Sequence, residues 1–179
     1  MAALLNLLSN KLANWQGVLF LLAILVLCIL GFTWRSGQFN LDTNHKLLDA
    51  RFWYRPTDVR DFFACINTKL GKKGLNIFAL TQVTLDFIFP ITYGTLFATL
   101  IILLYSGETR QKLIIIPLLA TIFDLGENFI LAYLALNYTG EISSLAWLAG
   151  IFTSLKWLMT VSSVLIISGG AIYRYKIVS

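Results

Sequence analysis

Asp124 and Glu127 stand three residues apart in Asp124-Leu-Gly-Glu127-Asn128, and almost every neighbour on either side is apolar. On a helix, residues at i, i+3 and i+4 lie close together on one side, so this spacing groups two carboxylates and the Asn128 amide. Such a group can hold a small cation, carry a proton or bind the polar head of an otherwise apolar guest. It could also supply an acid and a base, or hold one metal ion between its oxygens. Two more ionisable residues occupy apolar surroundings. Asp86 lies upstream with Gln82, Pro90 and Tyr93 on or near its helical face, and Lys156 lies downstream with Thr153, Thr160 and Ser163 on its own.

The elements that must position these residues follow from composition. Of 179 residues, 58% are hydrophobic and 13% charged, with mean hydropathy +0.75. Soluble domains carry about a quarter of their residues as charges, so this is the composition of an integral membrane protein. A bilayer crossing takes about 20 apolar residues, and four stretches qualify: 15–34, 75–105, 112–137 and 145–173. Pro90 is the expected kink of the second. The first is too long for the core of a removable leader and is read as a retained span. The other connections are short, so the expected fold is all-α, an antiparallel bundle of four transmembrane helices forming one domain over 1–179.

The polar segment 35–74 contains a further helix. Pro56-Thr57-Asp58 opens it, Val59, Phe62, Phe63, Ile66 and Leu70 follow at helical spacing, and Gly71 closes it. This predicts an amphipathic helix on the membrane surface, with Phe52-Trp53-Tyr54 as an interfacial anchor between Arg51 and Arg55. The same segment holds eight Lys and Arg residues, which leans the topology toward a cytoplasmic location for it.

Energetics single out the third span. Its Leu, Ile and Phe side chains together contribute about −7 kcal/mol to insertion, whereas Asp124 and Glu127 each cost about 2.5–3.5 kcal/mol. The helix therefore needs polar partners on its neighbours. Counting about 1.5 Å per residue from one membrane edge puts Asp86 and Glu127 about 14 Å deep, Lys156 about 16 Å and Asp124 about 18 Å. The four fall in one layer. Three acids and one lysine carry a formal charge of −2, more than hydrocarbon accepts without a cation, a proton or a hydrogen-bonding guest.

With Asp86-Phe-Ile-Phe-Pro90 followed by Tyr93-Gly94, and Asp124-Leu-Gly-Glu127-Asn128 one helix later, the chain resembles a group of small four-helix bacterial integral membrane proteins without assigned function. The resemblance covers mainly the second and third spans. It implies that these spans belong to one unit and that the protein resides in the bacterial inner (plasma) membrane as a multi-pass protein. It implies no activity. Two other four-helix classes fit the size but not the residues. The epoxyquinone-reducing type needs a Cys-x-x-Cys, and the glutathione-using membrane enzymes an Arg-rich Glu-Arg signature; both are absent.

The leading expectation is a mid-membrane pocket of Asp86, Tyr93, Asp124, Glu127, Asn128 and Lys156 that binds or conducts a small cation, proton or amphipathic ligand, with no cofactor. Transport or ligand binding is favoured over catalysis. One alternative is a structural or assembly subunit, in which the same residues form a network fixing helix packing. The ridge Ala146, Gly150 and Ser154, or the amphipathic helix of the first loop, would then dock a second copy or a membrane-protein partner. Another is an intramembrane lipid-modifying enzyme with Asp124 and Glu127 as acid and base or metal ligands. His45 is the only histidine, so no histidine-based zinc site is expected. Cys28 and Cys65 are distant in sequence and imply neither redox pair nor metal knot. The basic residues flank apolar spans, which points to membrane lipids as partners and away from nucleic acid.

Overall fold

The computed structural model describes residues 12–39, 48 and 51–178. His45 lies outside them. The described residues form six helices and no strand: α1 (Trp15–Phe39), α2 (Pro56–Val83), α3 (Leu85–Leu104), α4 (Gly107–Leu113), α5 (Ile115–Leu136) and α6 (Leu145–Val178). Four helical stretches are long and apolar enough to cross a membrane, namely Trp15–Gly37, Pro56–Leu104, Gly107–Leu136 and Leu145–Lys176. This pattern suggests a multi-pass membrane protein.

α2 begins where Pro56 fixes the first helical φ, and the Asp58 carboxylate accepts the Arg55 N–H at 2.7 Å. At Gly71 the backbone turns to φ 62°, ψ −159°, a region open to glycine, and the helix divides into two rods. The first rod buries Val59, Phe62, Phe63 and Ile66 against Phe78 and Ala79 of the second, Leu131 and Ala135 of α5, and Ala149 of α6. The Phe62 and Phe63 rings each lie 5.4 Å from that of Phe78, edge to face. The face read from the sequence as dipping among lipids is thus filled by protein. Leu70, the last residue of the pattern, is exposed.

The expected kink at Pro90 moves. The helix breaks at Thr84, whose φ −119° and ψ −82° separate α2 from α3, and then runs unbroken through Pro90. Proline lacks the N–H that would bond the carbonyl four residues earlier, here that of Asp86. Asn128 of α5 supplies the missing donor, its Nδ2 reaching the Asp86 carbonyl at 2.6 Å. Thr121 donates to the Pro90 carbonyl at 3.0 Å and is also 3.1 Å from that of Pro117. A helix can carry an internal proline when a neighbour satisfies the freed backbone in this way.

α5 is the centre of the assembly, touching α2, α3, α4 and α6, and its contact with α6 is the most extensive. α1 is peripheral. It packs through Val18 and Leu21 on Leu96 of α3, touches α2 more lightly and has at most a marginal contact with α6. A separate apolar cluster of Ala98, Ile101, Ile102 and Ile114 closes the end of the bundle near α4.

Candidate functional site

The six residues singled out in the sequence occupy α3, α5 and α6, and all are buried. Lys156 stands between the two acids of α5. Its Nζ donates to Asp124 Oδ1 at 3.0 Å and lies 2.8 Å from Glu127 Oε2, the latter an ion pair without hydrogen-bond alignment. The outer oxygen of each acid takes a phenol: Tyr93 donates to Asp124 Oδ2 and Tyr54 to Glu127 Oε1, each at 2.9 Å. The result is a continuous line, Tyr54, Glu127, Lys156, Asp124, Tyr93, drawn from four segments of the chain. Burial of an ion pair is tolerable only when its other oxygens also find donors, and the two tyrosines supply these to Asp124 Oδ2 and Glu127 Oε1.

The i, i+3 spacing on α5 explains why one ammonium reaches both acids. Asn128 belongs to the same face but serves the backbone, as the donor to the carbonyl freed by Pro90. Its function is structural at that atom, and a double-mutant cycle tests it. Asn128→Ala should destabilise the protein by about 1–3 kcal/mol, the penalty of an unsatisfied buried carbonyl. In a Pro90→Ala background, where residue 90 regains its N–H, thermal unfolding should show a clearly smaller loss.

Tyr54 was read as part of an interfacial anchor, and the structure places it differently. It is 1% exposed, with its ring in the core and its hydroxyl on Glu127, whereas Phe52 and Trp53 face outward. Residues 51–54 run along α6 and are fastened by a stripe at i, i+4 and i+7. Gly150 lets the Tyr54 carbonyl approach so closely that a Cβ would lie 2.6 Å from it. Ser154 donates to the Phe52 carbonyl and Trp157 Nε1 to the Arg51 carbonyl, both at 3.0 Å. The small residues at 146, 150 and 154 therefore receive this chain's own backbone on at least two of their three positions. That ridge, which ends two residues before Lys156, was the available signal that a backbone comes near the lysine.

Beside the charged line lies a cavity of about 490 Å³. Its walls are largely apolar, with Leu25, Ile29 and Phe32 from α1 and Phe89 and Phe97 from α3 among them. Asp86, Tyr93, Asp124, Lys156 and Thr160 supply its polar part, and Trp157 completes the α6 side. Glu127 and Asn128 do not line it. The cavity has α1 on one side and α6 on another, two helices that scarcely touch. Among the described residues no three or more His, Cys, Asp or Glu side chains converge as a metal site would require. Comparison with protein-family models, with curated proteins and with solved structures finds no match for this chain.

Proposed function

We propose that the protein is a multi-pass protein of the bacterial inner membrane that takes an amphipathic ligand into this cavity. The ligand's apolar body would lie among Leu25, Ile29, Phe32, Phe89 and Phe97, and its polar head at Asp86, Tyr93, Asp124 and Lys156. The observation that carries this reading is the cavity itself, a large apolar pocket with a few convergent polar groups. An antiparallel order of spans supports it. Asp86, Pro90 and Gly94 meet Asn128, Thr121 and Pro117 in that reversed order. The first rod of α2 would lie at the membrane surface, with Phe52, Trp53 and Trp147 exposed nearby. The slight contact between α1 and α6 gives a ligand a way in from the lipid.

Simple cation conduction is less favoured, because the ammonium of Lys156 already occupies the place between the α5 carboxylates. The network reading has its own support in the continuous line of hydrogen bonds and ion pairs from Tyr54 to Tyr93. The two are compatible. Glu127 and Lys156 fasten helices together, while Asp86 and the cavity side of Asp124 face a guest.

Photolabelling in nanodiscs with a neutral, diazirine-bearing long-chain alcohol tests the proposal. Labels should concentrate on Ile29, Phe89, Phe97 and Trp157, and Ile29→Trp, whose indole fills the space, should abolish that pattern. Even labelling over the outer faces of the helices, insensitive to Ile29→Trp, would overturn it.

A further inference from the structure

Asp124 stands where the charged line meets the cavity, and its two hydrogen bonds leave it able to accept more. Lys156 donates to one oxygen at 3.0 Å and Tyr93 to the other at 2.9 Å, whereas an ionised carboxylate accepts about two donors at each oxygen and has none of its own to offer. Thr160, one turn after Lys156 on α6, brings its hydroxyl beside that of Tyr93, and all four residues line the cavity. A head that only accepts, such as a ketone or an ether, gains nothing from Asp124. A full charge of either sign would meet a like charge, Lys156 or Asp124, only 3.0 Å from its opposite, and would also lose its water. A neutral hydroxyl meets neither obstacle. It can donate to Asp124 and accept from Thr160.

The rest of the wall favours a ring. Phe32, Phe89, Tyr93 and Phe97 form a ladder along the cavity, with successive centroids 5.5, 5.5 and 5.8 Å apart, and Trp157 lines the cavity with them. Aromatic rings prefer one another edge to face or offset at about 4.5–7 Å, so an aromatic guest extends a pattern the wall already has, whereas a saturated one gains only apolar contact. Tyr93 belongs to both features, with its ring in the ladder and its hydroxyl on Asp124, so a hydroxyl held at Asp124 keeps its own ring beside the ladder. Resting on the ligand reading above, we infer that the cavity selects a lipophilic phenol, its hydroxyl donating to Asp124 and accepting from Thr160 and its ring packed on the ladder.

Three probes of similar size separate these contributions: para-butylphenol, its methyl ether, and para-butylcyclohexanol, in which the ring is saturated. Binding to the full chain in nanodiscs is measured by equilibrium dialysis, with partition into protein-free nanodiscs subtracted. The phenol should bind about tenfold more tightly than the ether, the worth of a hydrogen bond to a charged acceptor, and about threefold more tightly than the cyclohexanol. Thr160→Val should reduce the preference for phenol over ether. If that variant does not fold, the order of the three probes on the unmodified protein decides. Ether bound as tightly as phenol, or no binding of the phenol, with the neutral alcohol still labelling the cavity, overturns the phenol inference alone. Cyclohexanol bound as tightly as phenol overturns the ring preference, and a phenol-to-ether ratio unchanged in Thr160→Val overturns Thr160 as a partner of the hydroxyl. Absence of binding by all three together with absence of cavity labelling removes the ligand reading as well.

Discussion

Lys156→Met is expected to lower stability by about 3–5 kcal/mol, the loss seen when one partner of a buried ion pair is removed. Methionine nearly matches the lysine stem in volume, so the effect would come from charge. Asp124 and Glu127 would remain within the bundle with a phenol each and no cation between them. Adding Asp124→Asn and Glu127→Gln to Lys156→Met should restore most of the loss, because neutral amides still accept from Tyr93 and Tyr54 and leave no charge buried along that line. Thermal unfolding in a mild detergent measures both. A single variant as stable as the parent, or a triple variant no better than the single, would contradict the arrangement.

Gly150→Leu should be the most damaging change away from the charges. The 2.6 Å between a Cβ at this position and the Tyr54 carbonyl leaves no room for a side chain, so residues 51–54 must lift from α6. Overpacking of this kind costs about 1–3 kcal/mol, and losing the Tyr54 hydroxyl from Glu127 adds about 1–3 kcal/mol. Tyr54→Phe isolates the second part. The two changes should be less than additive, because the lifted segment has already withdrawn the phenol. Full additivity in unfolding midpoints would mean that Gly150 does not act through Tyr54.

Those two residues mark where the sequence was informative and where it was not. The four spans could be read because hydropathy accumulates over some twenty residues, and the shared layer because helical rise is constant. Asp124, Glu127 and Lys156 could therefore be brought together by counting. Tyr54 could not, because it sits in non-helical backbone with no period to give its direction, and its neighbours Phe52 and Trp53 do face outward. Pro90 misled for a different reason. A proline is a kink in isolation, but here Asn128 from another helix replaces the lost hydrogen bond. The backbone instead breaks at Thr84, a β-branched residue that lowers helix propensity only slightly and so gives a weaker stop signal than a proline. The first rod of α2 was legible as amphipathic, but periodicity says only that a face is apolar and not whether lipid or protein covers it.

The position of Lys156 has a consequence for biogenesis. Chains enter the membrane from the N-terminus, and the lysine follows Asp124 by 32 residues, on the last helix of the described fold. At about 5–20 residues per second, α5 is synthesised roughly 2–6 s before its cation exists. For that interval α3 and α5 carry their acids without the ammonium, and α5 is no more than marginally disposed to remain in hydrocarbon. The final helix thus acts as a latch on assembly. A chain interrupted ahead of it leaves Asp124 and Glu127 in the nascent bundle without the Lys156 ammonium, a distinguishing mark by which unfinished copies differ chemically from complete ones.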